Sequence, residues 1–134
     1  AFLSVEGSPF DFREMKKIGD GIHCDNAQLK LGGTYDHNFV INGDGLREAA
    51  VLQSKESGIR LTCFTDQPGV QLYVPCYTLH QKGIDGKDYP PYSAVCLETQ
   101  HYPNAINIEH FPSVVLKAGE NFRSKTLYHF SVMG

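Results

Sequence analysis

A single carboxylate, Glu98, stands in a stretch of the C-terminal third whose other residues favour a β-strand. The stretch is Val95-Cys96-Leu97-Glu98-Thr99-Gln100. Because successive side chains of a strand point to opposite faces, Leu97 and Thr99 share one face, and Glu98 lies on the other beside the amide of Gln100. A carboxylate placed this way can accept a proton from a bound substrate or hold its hydroxyl groups. A solvated edge strand that carries an isolated glutamate is the alternative interpretation.

Three segments together resemble the aldose 1-epimerase (galactose mutarotase) family, in which they occur in the same order and at similar spacing. They are Tyr35-Asp36-His37-Asn38-Phe39, Gln67-Pro68-Gly69-Val70-Gln71-Leu72-Tyr73 and Leu97-Glu98-Thr99-Gln100-His101-Tyr102-Pro103. Flanking stretches agree with the family as well, so the resemblance covers nearly the whole chain. Several independent strings are far more specific than any one short motif.

The resemblance implies roles for three side chains. Glu98 matches the family's general base, which takes the proton from the hydroxyl at sugar C1. Asp36 matches a carboxylate that holds sugar hydroxyls, and Gln71 matches a polar side chain that lines the same site. The implied activity is that of an isomerase that interconverts the α and β anomers of hexoses such as galactose or glucose. This mutarotation needs no metal and no organic cofactor.

The family's general acid has no counterpart in this chain. In the family the acid is a histidine in an Asn-His-x-Tyr-Phe-Asn-Leu string, and a second histidine lies in a His-Gly-Gly string. Neither string occurs in these 134 residues. On a strand His37 projects to the face opposite Asp36, and His101 has the same parity relative to Glu98. The remaining histidines lie in unrelated contexts: His23, His80, His110 and His129.

Charge and hydropathy argue against two classes of partner. The chain has 12 Lys and Arg against 15 Asp and Glu, and its basic residues do not cluster beyond Lys16-Lys17. Nucleic-acid binding therefore has no electrostatic basis. The apolar stretches are far shorter than the ~20 residues that a membrane-spanning helix requires, so we expect no association with a membrane.

The four cysteines lie at wide and unequal intervals, without a Cys-x-x-Cys pair. They are Cys24, Cys63, Cys76 and Cys96. This spacing argues against a zinc site. It favours reduced thiols and a cytoplasmic location, although a disulfide framework remains open because connectivity cannot be read from sequence.

Alternating apolar residues and frequent turn residues predict a mainly β chain. The predicted strands are Tyr35 to Ile41, Arg47 to Gln53, Ile59 to Thr65, Val70 to Val74, Ala94 to Gln100, Ser113 to Leu116 and Phe122 to Val132. The turn at Asn42 to Gly45 is expected to join the first two strands as a hairpin. The one helix candidate is Arg13 to Ile18. Gly83 to Pro91 is expected to form a polar loop, which the resemblance places near the sugar pocket; a plain surface connection is the alternative.

Sugars are also bound by flat aromatic faces, and two tyrosines are candidates. Tyr35 precedes Asp36, and Tyr73 shares a strand face with Gln71. For each, a place in the core is the alternative.

The fold that the resemblance implies is all-β, an antiparallel β-supersandwich of the galactose mutarotase type. Residues 1–134 form a single domain in this interpretation, corresponding to roughly the C-terminal half of the family fold. Such a portion leaves strand edges and an apolar face uncovered. We therefore expect either an N-terminal segment or chain that completes the fold, or self-association.

Three functions remain open at this point. The first is an aldose 1-epimerase completed by an N-terminal segment. The second is a noncatalytic carbohydrate-binding module, and the third is a structural or interaction domain without a sugar pocket.

Overall fold

The computed structural model describes residues 1–77 and 79–134, and the side chains of residues 79–81, including His80, lie outside the described part. Most of the regular structure is β-strand, which confirms the mainly β class. The strands are β1 (Asp36–Val40), β2 (Arg47–Gln53), β3 (Ile59–Thr65), β4 (Gly69–Tyr73), β5 (Leu79–Lys82), β6 (Asp88–Tyr89), β7 (Cys96–Gln100) and β8 (Thr126–Val132). Helical structure consists of α1 (Ala27–Gly32) and two 3-10 turns, Ile18–Asp20 and Ala105–Asn107.

The described strands form three sheets, with the orders β1-β4-β7, β2-β3-β8 and β5-β6. In the second sheet, β2 and β8 both pair antiparallel with β3. The third sheet is a hairpin across residues 83–87, so the predicted polar loop ends in a short strand instead of continuing to residue 91.

The predicted hairpin between the first two strands is wrong, because β1 and β2 belong to different sheets. The guanidinium of Arg47 holds the connecting loop open. It donates hydrogen bonds of 3.0 Å to the carbonyls of Ile41, Asn42 and Gly45, and another of 3.0 Å to the carbonyl of Thr65 on β3. The side chain therefore satisfies loop carbonyls that a tight turn would have paired with backbone N–H groups.

The chain divides into two compact units. The first comprises Ala1–His37 and Tyr73–Val95, and the second comprises Asn38–Leu72 and Cys96–Gly134.

The first unit is organised around Tyr35, which is fully buried. Its hydroxyl donates to the carbonyl of Pro9 at 2.9 Å, and its ring packs edge-on against Phe10 and Phe12. A Cβ at Gly21 would collide with the Tyr35 hydroxyl, so only glycine fits there. Tyr35 is thus a core residue, which resolves its two interpretations in favour of packing.

The predicted helix at Arg13 to Ile18 is wrong, and the α-helix lies further along at α1. Asp11 explains why no helix begins at Arg13. Its carboxylate accepts hydrogen bonds from both the backbone and the guanidinium of Arg13 and so favours a local turn. At α1, the Asn26 side chain caps the first N–H groups, and Gly33 ends the helix with φ +69°.

The predicted strand at Ser113 to Leu116 is also wrong, since these residues adopt no regular structure. The Ser113 hydroxyl accepts from the N–H of Val115 at 3.2 Å, and the Glu120 carboxylate accepts from the N–H of Lys117 at 2.9 Å. Local side-chain contacts of this kind compete with strand pairing.

The carboxylate of Asp66, directly after β3, anchors the segment that leads into β8. It accepts from the N–H of Lys125 at 3.0 Å and from the hydroxyl of Ser124 at 3.1 Å. The Gln67 side chain donates to the same hydroxyl at 2.6 Å. The hydrogen bond from the Lys125 backbone is the largest cause that lowers the pKa of Asp66 below its ordinary value of 3.8.

We expect Asp66→Asn to lower the urea midpoint of unfolding at neutral pH. Because the folded-state pKa of Asp66 is lowered, its contribution to stability is present above pH 3.8 and is lost as the pH falls through the folded-state pKa. The difference between the two proteins should therefore shrink on acidification. Asp44→Asn, in the exposed loop before β2, is the matched control and should leave the midpoint unchanged. A midpoint difference for Asp66→Asn that grows as the pH falls would contradict the assignment.

Candidate active site

Hydrogen bonds to the second sheet set the orientation of β7, the strand that carries Glu98. The Thr99 hydroxyl lies 2.6 Å from the Thr126 hydroxyl of β8, and the Tyr128 hydroxyl donates to the carbonyl of Leu97 at 2.7 Å. Thr99 therefore faces the second sheet. Glu98, its neighbour in the strand, points to the opposite face and is exposed.

Two titratable groups lie near the charge of Glu98 in the second unit. Burial is the main cause that raises the pKa of the Cys96 thiol, and the charge of Glu98 raises it further. The pKa of Tyr128 is raised by burial first, then by Cys63 and Glu98. Both neighbours therefore stay protonated at neutral pH, so neither is a thiolate or phenolate nucleophile.

Asp36, in the first unit, is exposed at the start of β1, and the adjacent His37 packs inward. The His37 ring lies 4.6 Å from that of Phe10, and its Nδ1 accepts from the backbone N–H of Asp36 at 3.0 Å. Burial lowers the pKa of His37, and this outweighs the charge of Asp36 and a hydrogen bond with the Gln28 backbone. His37 is thus a packed, neutral imidazole on the strand face opposite Asp36, as the alternation of the strand predicts. A packed, neutral ring argues against a role as general acid.

Gln71 and Tyr73 occupy the half-buried face of β4, since Val70 and Leu72 fill the buried one. The Tyr73 hydroxyl donates to that of Tyr77 at 2.9 Å. This hydrogen bond is the largest cause that raises the pKa of Tyr73 to about 12. Sequence reasoning did not identify Tyr77, because it lies after Val74-Pro75-Cys76, outside any strand pattern.

The structure brings Gln71 and Glu98, both in the second unit, onto hydrogen-bonded neighbouring strands, since β4 and β7 are adjacent in one sheet. Asp36 belongs to the first unit. Of the other histidines, His110 stacks edge-on against Phe111, His23 against Tyr92, and His129 is exposed on β8.

All four cysteines are free thiols. Within residues 1–77 and 79–134, no cluster of three or more His, Cys, Asp or Glu side chains is arranged to hold a metal ion. In the same part of the chain, no helix has the length and apolar character needed to cross a membrane.

Comparison with known proteins identifies the architecture that carries these residues. Residues 1–129 match the sequence model of the family described as aldose 1-epimerase. The chain belongs to the aldose 1-epimerase family. Its relatives in the family include galactose mutarotase from Bos taurus, 40% identical over 133 residues, and aldose 1-epimerase from Escherichia coli, 31% identical over 131 residues.

Solved structures of the family agree with the fold. A crystal structure of a GalM/aldose epimerase homologue from C. elegans superimposes with a TM-score of 0.81 at 29% identity, over 98% of this chain and 39% of that one. Galactose 1-epimerase from Lactobacillus acidophilus gives 0.76 at 28% identity, over 98% of this chain and 37% of that one. The antiparallel β-sandwich expected from the resemblance is confirmed.

The chain spans only part of the length of its relatives. The match covers 96% of this chain but 37% of the bovine protein, and 95% of this chain but 38% of the E. coli protein. It corresponds to a C-terminal portion of the family fold, somewhat smaller than the half expected from sequence.

Proposed function

We propose that this chain supplies the proton-accepting part of an aldose 1-epimerase that interconverts the anomers of hexoses such as galactose or glucose. The observation that carries the proposal is Glu98, which lies in the family's Leu-Glu-Thr-Gln-His string and on the exposed face of β7. Membership of the family and relatives named galactose mutarotase support the same reaction.

In the proposed mechanism Glu98 takes the proton from the C1 hydroxyl of the sugar. The electron pair left on that oxygen forms the C1 carbonyl, and the bond between C1 and the ring oxygen breaks. The ring oxygen receives a proton from an acid, the aldehyde rotates about the C1–C2 bond, and the reverse steps close the ring as the other anomer. No electrons are transferred to or from the sugar, so the reaction needs no oxidant.

Asp36 and Gln71 have binding roles in this proposal. A carboxylate accepts hydrogen bonds from sugar hydroxyls, and a side-chain amide both donates and accepts, so each group is suited to hold hydroxyls of a hexose. Each hydrogen bond made in a partly desolvated site contributes to affinity, and each one lost leaves its partner unpaired.

The acid in this proposal comes from a polypeptide that completes the family fold. The chain lacks the family's histidine strings, and His37, the histidine nearest in sequence to Asp36, is packed against Phe10. More than half of each matched relative lies outside the region that this chain covers. In this proposal the N-terminal part of the family fold supplies the missing histidine, and the complete assembly acts in the cytoplasm.

A noncatalytic carbohydrate-binding module is the second candidate, because the exposed carboxylate of Glu98 can hold a sugar hydroxyl as well as take a proton. Measurements of sugar binding and of mutarotation distinguish the epimerase from the binding module. The chain is mixed with the portion of bovine galactose mutarotase that precedes the matched region, and the mixture is titrated with galactose in a calorimeter and assayed by polarimetry. An epimerase binds galactose and accelerates mutarotation. Binding without acceleration would overturn the proposal in favour of a binding module.

A further inference from the structure

The side-chain amide of Asn38, on β1, carries a buried donor that the proposed mechanism does not use. Its Nδ2 atom is shielded from solvent and has no hydrogen-bond partner within residues 1–77 and 79–134. A buried amide donor without a partner is costly in free energy, and nearly all such groups in proteins are paired. Because Nδ2 is enclosed by this chain itself, a polypeptide that covers the outer surface does not reach it. Its partner in solution is therefore to be sought among the neighbours of Asn38.

The strand register places Asn38 directly opposite Gln71 of β4, and both residues belong to the second unit. Two backbone hydrogen bonds flank the pair and give one antiparallel register: the Ile41 N–H donates to the Pro68 carbonyl at 3.0 Å, and the Val74 N–H donates to the Tyr35 carbonyl at 2.9 Å. In this register Asn38 and Gln71 form a non-hydrogen-bonded pair, whose side chains share a face and approach closely. The Oε1 atom of Gln71 is also buried. A donor on β1 therefore lies beside an acceptor on β4.

A glycine makes room for the Asn38 amide. A Cβ atom at Gly69, two residues before Gln71, would collide with Oδ1 of Asn38 and lie 3.1 Å from its Nδ2. The φ angle of Gly69 is not in the left-handed region, so the backbone itself would accept an alanine. The Asn38 amide thus fills the space that a side chain at residue 69 would occupy, on the face that carries Gln71.

We propose that Asn38 is a positioning residue that acts through Gln71. By a rotation of the side-chain amides, Nδ2 of Asn38 donates to Oε1 of Gln71, which directs Nε2 of Gln71 toward the sugar. The two ends of a carboxamide have opposite hydrogen-bonding character, so a neighbouring donor decides which end remains for a ligand. Asp36 and Glu98 only accept hydrogen bonds when ionised, and a donor from Gln71 complements them. The inference rests on the proposed function, in which Gln71 binds the sugar.

The test is a double-mutant cycle on galactose binding by the completed assembly, measured by calorimetry. Asn38→Ala should weaken binding by at least about fivefold in the otherwise unmodified chain, and by less than about twofold when Gln71→Ala is already present. A residue that only supports the fold would give the same loss in both backgrounds. Asn121→Ala, which removes an exposed amide in the segment before β8, is the control and should leave the affinity unchanged.

Gly69→Ala tests the same contact from the other strand. Its Cβ displaces the end of the Asn38 side chain, so this variant should weaken galactose binding about as much as Asn38→Ala does. When Asn38→Ala is already present the space is open, and Gly69→Ala should then have little further effect. Losses from the two changes that simply add would contradict the placement of the amide.

The outcomes separate this inference from the proposed function. Equal losses from Asn38→Ala with and without Gln71→Ala would overturn the positioning role while galactose binding stands. An assembly that binds no galactose would refute the proposed function, and the same cycle on urea unfolding of this chain then decides the contact. Destabilisations by Asn38→Ala and Gln71→Ala that fall short of their sum in the double variant would support the hydrogen bond, and additive ones would overturn it.

Discussion

Glu98→Gln should reduce mutarotation by the completed assembly by ~10²–10⁴ while leaving the affinity for galactose largely unchanged. The amide keeps the size and hydrogen-bonding shape of the side chain, but it cannot take the proton from the C1 hydroxyl. A loss in kcat without a matching rise in KM is the signature of a group that acts in the transition state. Polarimetry of freshly dissolved α-glucose gives the rate, and calorimetry gives the affinity.

Glu109→Gln is the matched control, because Glu109 is an exposed glutamate in the segment after β7. It should leave both rate and affinity unchanged. An unaltered rate for Glu98→Gln in an assembly that is active with the unmodified chain would remove Glu98 from the mechanism.

Asp36→Ala and Gln71→Ala should each weaken galactose binding by roughly 1–3 kcal/mol, because each leaves a sugar hydroxyl without its hydrogen-bond partner. That range corresponds to about 5-fold to 150-fold in the dissociation constant. Calorimetric titration of the completed assembly measures it. Asp20→Ala, which removes an exposed carboxylate elsewhere in the first unit, is the control. Unchanged binding in both site variants would place the sugar elsewhere.

Local patterns predicted most of the strands, because alternation of side chains is set by the backbone itself, but they missed β5 and β6 and wrongly placed a strand at Ser113 to Leu116. β3 lies at Ile59–Thr65 as the alternation indicates, and β2 lies at Arg47–Gln53. The parity of Glu98 against Thr99 also follows from the strand alone. The contact that confirms this parity, between Thr99 and Thr126, joins residues 27 positions apart and could not be read from the sequence.

Pairing between strands was harder to predict, because it depends on contacts between distant residues. Asn42 to Gly45 has the composition of a hairpin turn, yet Arg47 bonds to the carbonyl of Thr65, 18 residues later, and the two flanking strands enter different sheets. The helix was misplaced for a different reason. Asn26 and Gly33 are ordinary capping residues at the two ends of α1, so the sequence already contained the signals that predict this helix.

For the candidate site, the resemblance indicated the residues and the structure adds their surroundings. Packing of His37 against Phe10 gives a physical reason why this histidine is a poor proton donor. Tyr77 was not foreseen, because its hydrogen bond to Tyr73 depends on the path of the chain after β4. The roles of Asp36, Gln71 and Glu98, and the single domain over residues 1–134, stay predictions.

The most direct test of the central claim is polarimetry of α-glucose during titration of this chain with the preceding portion of bovine galactose mutarotase. If Glu98 is the base and the acid lies on the completing polypeptide, the chain alone should be slower than the saturated mixture by at least about 10². The rate should rise with added polypeptide until the two are equimolar, and Glu98→Gln should abolish most of that rise. Full activity from the 134-residue chain alone would contradict the account, because a histidine within the chain would then supply the proton.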